Sequence, residues 1–339
     1  MYISTMAKKI FLCCLLSCTL LLFCVSDKVH GQENLKRASF IPHWSPQAQF
    51  AGYFVAFEKG FYKKHGIALN IQQGGPHRPS LDLLEKQAAD FAIAWLSTAI
   101  QRRSQGLSLV NVGQIIQRSA LILIAKKSRG IYKPEDINGR KVGLWRADFQ
   151  LQPVAFLKKY NLKVTVVPQS YSVNLFLRDG VDVASAMWYN EYHTILNAGL
   201  NPDELTTFFF YEHELNFPED GVYTLESTLK RDPELVRAFV NASIEGWLYA
   251  FKHPDEALDI VLKYMSKANI PVNRVHQKWM LERMKDIVLP EDGKSPPIGM
   301  LTESDFIRVC KVLEENGIIT GKMPVFDDFF VNFTDHAKK

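Results

Sequence analysis

The chain has 339 residues, of which 47% are hydrophobic and 22% charged, a composition typical of a folded globular protein that excludes a disordered or fibrous one. Its net charge of +4 is small and dispersed, so no nucleic-acid-binding surface is predicted. At this length a hydrophobic core is usually divided, so two lobes of roughly 150 residues each are expected.

Residues 1–31 have the pattern of a secretory signal peptide. Lys8 and Lys9 precede an apolar run from residue 10 to residue 25, after which polar residues resume. The run is slightly shorter than the roughly 20 residues that a membrane-spanning helix needs. We therefore predict export to the periplasm with cleavage at the end of this segment. An uncleaved membrane anchor and a lipoprotein attached at Cys18 are the alternatives.

From residue 38 onward, short apolar runs alternate with helical patterns, which is typical of βα units on a mostly parallel sheet. Helices are predicted over residues 47–59, ending at Gly60, and over residues 190–198, because a glycine commonly follows the last helical turn. The predicted strands between such helices are residues 39–41, 67–71, 91–94, 109–116, 121–125, 141–145, 164–167, 183–187 and 207–211.

After about residue 225 the pattern changes to consecutive helices. Asp232 and Pro233 form an N-cap followed by a first-turn proline, and the apolar residues behind them repeat at helical spacing. A later helix, starting near Thr302, carries Cys310 on its apolar face. Cys310 is the only cysteine beyond the signal segment, so no internal disulfide is predicted in the exported chain, and we interpret it as a buried core residue.

The predicted fold class is α/β with two lobes, each a mostly parallel sheet flanked by helices, and a ligand cleft between them. No linker divides the chain, so strands must cross between the lobes. We place the crossings near residues 126–130 and 221–226. Lobe one then comprises residues 36–125 and 226–335, and lobe two comprises residues 126–225.

The strand ends carry the candidate site, because ligands of such folds lie beyond the carboxyl ends of the strands. Two of the six tryptophans, Trp247 and Trp279, lie in helical patterns and are predicted to be core residues. The other four follow predicted strands at this edge, and an indole face can stack on a planar ring. The alternative is that these tryptophans fill the seam between the lobes. Gln47 and Gln49 open a helix, and Gly75 lies in a tight turn. The ten predicted ligand-binding residues are Trp44, Gln47, Gln49, Gly75, Trp95, Trp145, Trp188, Tyr189, Asn190 and Glu191.

No catalytic residue, metal site or cofactor is predicted. The chain has no nucleophile elbow, zinc-protease motif or phosphate loop. Adjacent residues of a strand face opposite sides, so His213 and the acids beside it cannot converge on one metal ion. Glu219 and Asp220 are interpreted as a solvated turn. His43 is interpreted either as a cleft residue or as a structural histidine.

These segments together resemble the substrate-binding proteins of the alkanesulfonate and thiamine-pyrimidine group, the SsuA/THI5-like or NMT1 family. The resemblance implies a periplasmic-binding-protein fold and a transport function with an ABC-transporter permease as partner. It also implies a thiamine-precursor aminopyrimidine as ligand, whereas other branches bind sulfonates, nitrate or riboflavin. A monomer is expected, and a sensor subunit is an alternative on the same fold. The segments that carry the resemblance are residues 44–53, 58–62, 74–76, 89–91, 189–192 and 219–224.

One fungal branch of this family is a single-turnover thiamine pyrimidine synthase that consumes pyridoxal phosphate and its own histidine. That branch keeps a lysine and, four residues later, a histidine after the strand that contains Asp90. In this chain Ala94 and Thr98 stand at those positions. A Schiff base requires a primary amine, so the resemblance favours a binding protein over an enzyme.

Overall fold

The computed structural model describes residues 35–319 and 321–334. The predicted signal peptide, residues 1–31, lies outside the described residues, so export, cleavage and lipidation stay predictions. Within the described part, no helix combines the length and the apolar character that crossing a bilayer requires.

Ten strands of the described chain form two five-stranded sheets. The first has the order β2-β1-β3-β10-β4, with β1 Lys36–Ile41, β2 Ile67–Ile71, β3 Phe91–Trp95, β4 Leu109–Gln114 and β10 Asp220–Leu225. The second has the order β7-β6-β8-β5-β9, with β5 Leu121–Lys126, β6 Lys141–Leu144, β7 Thr165–Pro168, β8 Val183–Met187 and β9 Leu205–Phe209.

Each sheet is mostly parallel, and its antiparallel member stands in fourth place. In the first sheet β10 runs antiparallel to β3 and β4, and in the second β5 runs antiparallel to β8 and β9. β10 and β5 are the strands that directly follow a connection from the other sheet, and each runs antiparallel to both of its neighbours. The predicted fold class, two α/β lobes with mostly parallel sheets, is confirmed.

Both predicted crossings are wrong, because each was placed one strand too late in the chain. β5 was assigned to lobe one, but it pairs within the second sheet, and β10 was not predicted as a strand, but it pairs within the first. The connections between the sheets are therefore residues 115–120 and 210–219. The physical reason is that β5 is a short, continuously apolar run, which fits the interior of either sheet equally well.

Helices flank both sheets, and the longest of them, α9 (Pro233–Lys252), packs in the core beside the first sheet. Gly246 of α9 lies so close to α1 (Ala51–Glu58) that an added Cβ would be 2.1 Å from the Gly52 carbonyl oxygen. Asp232 caps α9 by accepting from the Leu235 N–H, as predicted. The helices are α1 Ala51–Glu58, α2 Phe61–Lys64, α3 Ser80–Glu85, α4 Leu96–Ser104, α5 Leu151–Lys159, α6 Asn174–Leu177, α7 Glu191–Asn197, α8 Glu226–Arg231, α9 Pro233–Lys252, α10 Pro254–Lys267, α11 Arg274–Val288, α12 Glu303–Glu315 and α13 Phe326–Phe329.

Cys310 and Trp279, two residues outside the cleft, were both predicted to be core side chains. Cys310 is a buried residue of α12, in agreement with its interpretation as a core side chain. Trp279 was predicted to lie in the core, but it is only partly buried and stacks on His193 with the ring centroids 4.8 Å apart. It therefore contributes to a contact between α11 and α7.

Candidate functional site

A cleft lies where strands of both sheets end, with a volume of about 420 Å³ that includes the space open to solvent. Segments after β1, β6, β7 and β8 contribute to it, together with the last residue of β3. This is the position at which ligands bind in open α/β sheets. The lining residues are His43, Trp44, Gln47, Gln49, Trp95, Trp145, Phe149, Tyr171, Met187, Tyr189, Asn190 and Glu191.

Eight of the ten predicted site residues line this cleft, and Trp188 and Gly75 do not. The Trp188 ring packs edge-on against Phe209, with the ring centroids 5.4 Å apart. Trp188 is the first residue of the turn that follows β8. Its neighbours Met187 and Tyr189 line the cleft, whereas its ring packs against Phe209 of β9.

The tight turn at Gly75 has a structural role instead of lining the cleft. It is the preceding residue, Gly74, that approaches other backbone closely. A Cβ added there would lie 2.2 Å from the Pro42 carbonyl oxygen and 2.4 Å from that of Trp44. The turn therefore packs against the segment that carries Trp44, and only glycine permits that approach.

Aromatic rings form most of the apolar wall of the cleft. Phe149 lies between two tryptophans, with ring centroids 4.7 Å from Trp95 and 5.7 Å from Trp145. Trp44 and Tyr171 meet edge-on at 5.0 Å. Phe149 and Tyr171 were not predicted, although both follow strands of the second sheet by a few residues. Their position after β6 and β7 is the signal that could have indicated them.

One indole in this wall has an unpaired hydrogen-bond donor. The Trp95 Nε1 is buried and has no partner within the described protein, whereas the Trp145 Nε1 donates to the Ser170 carbonyl oxygen at 3.0 Å. A buried donor without an acceptor is unfavourable. A ligand that brings an acceptor to Trp95 would remove that penalty.

Asp220 is the centre of a buried hydrogen-bond network beside the aromatic wall. Its Oδ1 lies 2.9 Å from the His43 Nε2, and its Oδ2 accepts from the Gln49 Nε2 at 2.9 Å. Gln47 donates in turn to the Gln49 Oε1 at 2.6 Å. Asp220 is 3% exposed, so its interpretation as part of a solvated turn is wrong. It opens β10, an interior strand that the sequence pattern did not reveal.

Glu219 joins the two crossings between the sheets. Its Oε1 accepts from the Ser119 hydroxyl at 2.9 Å and from the backbone N–H groups of Ala120 and Leu121 at 2.7 and 3.1 Å. The residue is 1% exposed, and its other oxygen has no partner within the described protein. Burial and the neighbouring Asp220 raise the pKa of Glu219 to about 8, so the carboxyl group is largely protonated at neutral pH.

Glu191 places a second buried carboxyl group directly in the cleft wall. Its Oε2 accepts from the Met187 N–H and its Oε1 from the Asn190 Nδ2, both at 2.9 Å. Burial raises the pKa of Glu191 to about 7, although these hydrogen bonds act in the opposite direction. Each oxygen retains a further acceptor position. The lining residues include no lysine or arginine, so the cleft favours a neutral or cationic ligand over an anion.

Comparison with known proteins agrees with this geometry. A family model described as NMT1/THI5 like matches residues 47–257. The chain belongs to the NMT1/THI5-like family. It is similar to the riboflavin-binding protein RibY of Chloroflexus aurantiacus, at 25% identity over 71% of this chain and 70% of that protein.

Two further relatives show the range of this family. The chain is 22% identical to a formylaminopyrimidine-binding protein of Halalkalibacterium halodurans, over 83% of this chain and 87% of that protein. It is 23% identical to a protein of Legionella pneumophila named 4-amino-5-hydroxymethyl-2-methylpyrimidine phosphate synthase, over 71% and 78% of the two chains. NMT1/THI5-like relatives thus include both binding proteins and enzymes by name.

The fold is that of periplasmic binding proteins. The structure of the aliphatic sulphonate binding protein SsuA from Escherichia coli matches with a TM-score of 0.67, at 13% identity, over 87% of this chain and 97% of that one. At that identity the likeness concerns the fold alone.

The two positions that distinguish the synthase branch lie in β3 and in the helix that follows it. Ala94 is a buried residue of β3, paired in register with Gly221, and Thr98 lies in α4. A methyl group and a hydroxyl group provide neither the amine nor the imidazole of that chemistry. In the described part of the chain, no group of three His, Cys, Asp or Glu residues is arranged to hold a metal ion.

Proposed function

We propose that this protein is the extracytoplasmic substrate-binding protein of an ABC importer and that its cleft captures a planar aminopyrimidine of the thiamine-precursor type. The observation that carries the proposal is the combination of an aromatic wall with the buried Glu191 carboxyl group. The aromatic rings can stack on both faces of a heterocycle. The names of the riboflavin- and formylaminopyrimidine-binding relatives support a flat heterocyclic ligand.

The chemistry of Glu191 selects among heterocycles. An aminopyrimidine presents an exocyclic amino group next to a ring nitrogen, and a carboxyl group can bond to both at once. With a pKa of about 7 for Glu191, one proton can be shared between the carboxyl group and the ring nitrogen. A sulfonate or nitrate ligand would instead meet buried acids and no lysine or arginine of the cleft wall.

The partners and location follow from the same proposal. A chain with a signal-peptide pattern that captures a small molecule outside the cytoplasm requires a membrane permease to receive it. We propose that the protein acts in the periplasm, as a monomer, and that closure of the two lobes presents the loaded cleft to that permease.

Mass spectrometry of small molecules released from the purified, denatured protein tests the proposed function. We expect an aminopyrimidine in the released fraction. A sulfonate or a flavin as the main released compound would overturn the assigned ligand class.

The alanine variants of Trp95 and Trp188 should behave differently. Trp95→Ala removes a ring of the cleft wall and should weaken binding of hydroxymethyl aminopyrimidine by about 1–3 kcal/mol, the range for a base stacked on an aromatic ring. Trp188→Ala removes a ring outside the cleft and should mainly lower the melting temperature of the ligand-free protein. Calorimetric titration and thermal melting with and without ligand separate the two effects. Equal loss of affinity in both variants would contradict the placement of Trp188.

The binding-protein proposal also predicts a negative result in a chemical assay. Incubation with pyridoxal phosphate and iron should leave the mass of the intact protein unchanged, because Ala94 and Thr98 cannot supply the lysine and histidine of the synthase branch. Intact-protein mass spectrometry provides the measurement. Loss of a histidine ring, or appearance of a pyrimidine product, would show that the protein is an enzyme.

A further inference from the structure

Helix α11 runs from the crossings between the sheets to the cleft. Near its C-terminal end, the Ile287 carbonyl oxygen accepts from the N–H groups of Gln117 and Arg118, which lie in the first crossing. At its N-terminal end, the Gln277 Oε1 accepts from the Ala48 N–H at 2.7 Å, beside the predicted site residues Gln47 and Gln49. The helix is thus attached both to the first lobe and to the connection between the lobes.

One face of α11 contacts the second lobe. Its three contacting residues, His276, Trp279 and Arg283, follow one another at spacings of three and four and therefore share a helix face. The Trp279 Nε1 donates to the Trp188 carbonyl oxygen at 3.2 Å, and the Arg283 guanidinium lies 5.0 Å from the Trp188 ring centroid. The segment after β8, which carries the lining residues Asn190 and Glu191, therefore contacts a helix of the other lobe.

A chain of hydrogen bonds continues from this face into the cleft. The Nδ1 atoms of His193 and His276 lie 2.9 Å apart, and the His276 Nε2 lies 2.8 Å from the Asn190 Oδ1. Asn190 then donates through its Nδ2 to the Glu191 Oε1. Asn190 and Glu191 both line the cleft, whereas the two histidines do not.

The donors of this chain all point toward Glu191. The Asn190 Oδ1 is an acceptor, so the His276 Nε2 must carry the proton. The Nδ1 of a neutral His276 is then an acceptor, and the His193 Nδ1, 2.9 Å away, carries the proton that it receives. The Asn197 Nδ2 lies 3.4 Å from the same His193 Nδ1, a longer and weaker contact than the one to His276. Burial lowers the pKa of both histidines, which favours the neutral forms that this order requires. With its oxygen held by His276, the Asn190 amide can only present its NH₂ group to Glu191.

We propose that His276 is a positioning residue for the ligand site: by fixing the amide of Asn190 it orients the Glu191 carboxyl group, and it does so from the opposite lobe. The inference rests on the proposed function, because it assigns His276 a role in binding at that same cleft. Asn190 belongs to the lobe that contains β8, and His276 belongs to a helix attached to the other lobe. Of the two hydrogen bonds that orient Glu191, the one from Asn190 therefore depends on the relative position of the two lobes, whereas the one from the Met187 N–H does not. Ligand affinity is coupled to the arrangement of the lobes through that one bond.

Calorimetric titration with hydroxymethyl aminopyrimidine tests the role of His276. His276→Ala should weaken binding about tenfold, the effect of one lost hydrogen bond. His276→Gln should stay within about threefold of the wild type, because the glutamine amide can still donate to Asn190. In an Asn190→Ala background, adding His276→Ala should cause no further loss, since His276 acts only through Asn190. The exposed His77 provides the matched control, and His77→Ala should bind like the wild type.

Wild-type affinity for His276→Ala, or fully additive losses in the double variant, would overturn the inference. A measurement on the ligand-free protein distinguishes failure of the positioning role of His276 from failure of the proposed function. Nitrogen-15 NMR of the ligand-free protein should show His276 with its proton on Nε2 and His193 with its proton on Nδ1. The opposite tautomers would overturn the positioning role even if a ligand binds. The expected tautomers in a protein that binds no aminopyrimidine would overturn the proposed ligand and leave the hydrogen-bond chain intact.

Discussion

Replacing Glu191 with glutamine is expected to weaken the binding of hydroxymethyl aminopyrimidine by roughly 1.5–3 kcal/mol, the range for a hydrogen bond to a charged group. This corresponds to a loss of about 10- to 150-fold in affinity. Both oxygens of Glu191 already accept from donors, the Met187 N–H and the Asn190 Nδ2. A glutamine amide nitrogen would therefore oppose a donor in either orientation, and the side chain would lose its present geometry as well as its charge.

Calorimetric titration of wild type and Glu191→Gln provides the measurement, with Glu291→Gln as the matched control. Glu291 is exposed and lies outside the cleft, so its variant should bind like the wild type. Unchanged affinity in Glu191→Gln would mean that Glu191 does not contact the ligand.

The second large effect is expected in the pH dependence of stability. The pKa of Glu219 is about 8 in the folded protein, well above the ordinary value of 4.5 that applies when the chain is unfolded. Between these values the folded state binds the proton more strongly, so the free energy of unfolding decreases as pH rises. The slope for one such group is at most about 1.4 kcal/mol per pH unit. The ligand-free wild type should therefore be less stable at pH 8 than at pH 7.

In the Glu219→Gln variant, the free energy of unfolding should decrease less between pH 7 and pH 8 than in the wild type. The amide resembles the protonated acid, because its oxygen can still accept from Ser119, Ala120 and Leu121 and its nitrogen occupies the position of the unpartnered oxygen. At pH 8 the variant should therefore be at least as stable as the wild type.

Urea unfolding of wild type and Glu219→Gln from pH 7 to pH 8.5 measures the effect. Glu191, with a pKa of about 7, contributes in the same direction near pH 7 but equally in both proteins, so the difference between them reports Glu219. The histidines with a lowered pKa, such as His276, act in the opposite direction, but only below their ordinary value of about 6.5. An equally steep pH dependence in wild type and Glu219→Gln would show that another group is responsible for it.

The sequence predicted those parts of the site that follow local rules. Trp44, Trp95 and Trp145 each stand at the carboxyl end of an apolar run, and the topology of an α/β sheet brings such ends together. Trp188 was misplaced because the rule gives the end of a strand but not the direction of the side chains in the turn that follows. Met187 ends β8 and lines the cleft, whereas the ring of Trp188, the first turn residue, packs against Phe209.

Other features depend on contacts between distant residues and leave no local pattern. In the sequence Asp220 resembles a turn residue, because its partner His43 lies 177 positions away and only the folded structure brings the two together. The strand that Asp220 opens was missed for the same reason, and the second crossing was misplaced with it. The link from His276 to Asn190 spans 86 positions. Neither residue type nor spacing indicates that contact, which only the packing of α11 against the second lobe creates.

We propose that this cleft binds a neutral or cationic aminopyrimidine and rejects anions. Separate titrations of the purified, ligand-free protein with hydroxymethyl aminopyrimidine, with riboflavin and with ethanesulfonate, a sulfonate that carries no ammonium group, test this most directly. We predict the tightest binding for the aminopyrimidine and no measurable binding of ethanesulfonate, because Glu191 and Asp220 are buried acids and the described residues of the cleft wall include no lysine or arginine. Tighter binding of ethanesulfonate than of the aminopyrimidine would contradict this proposal.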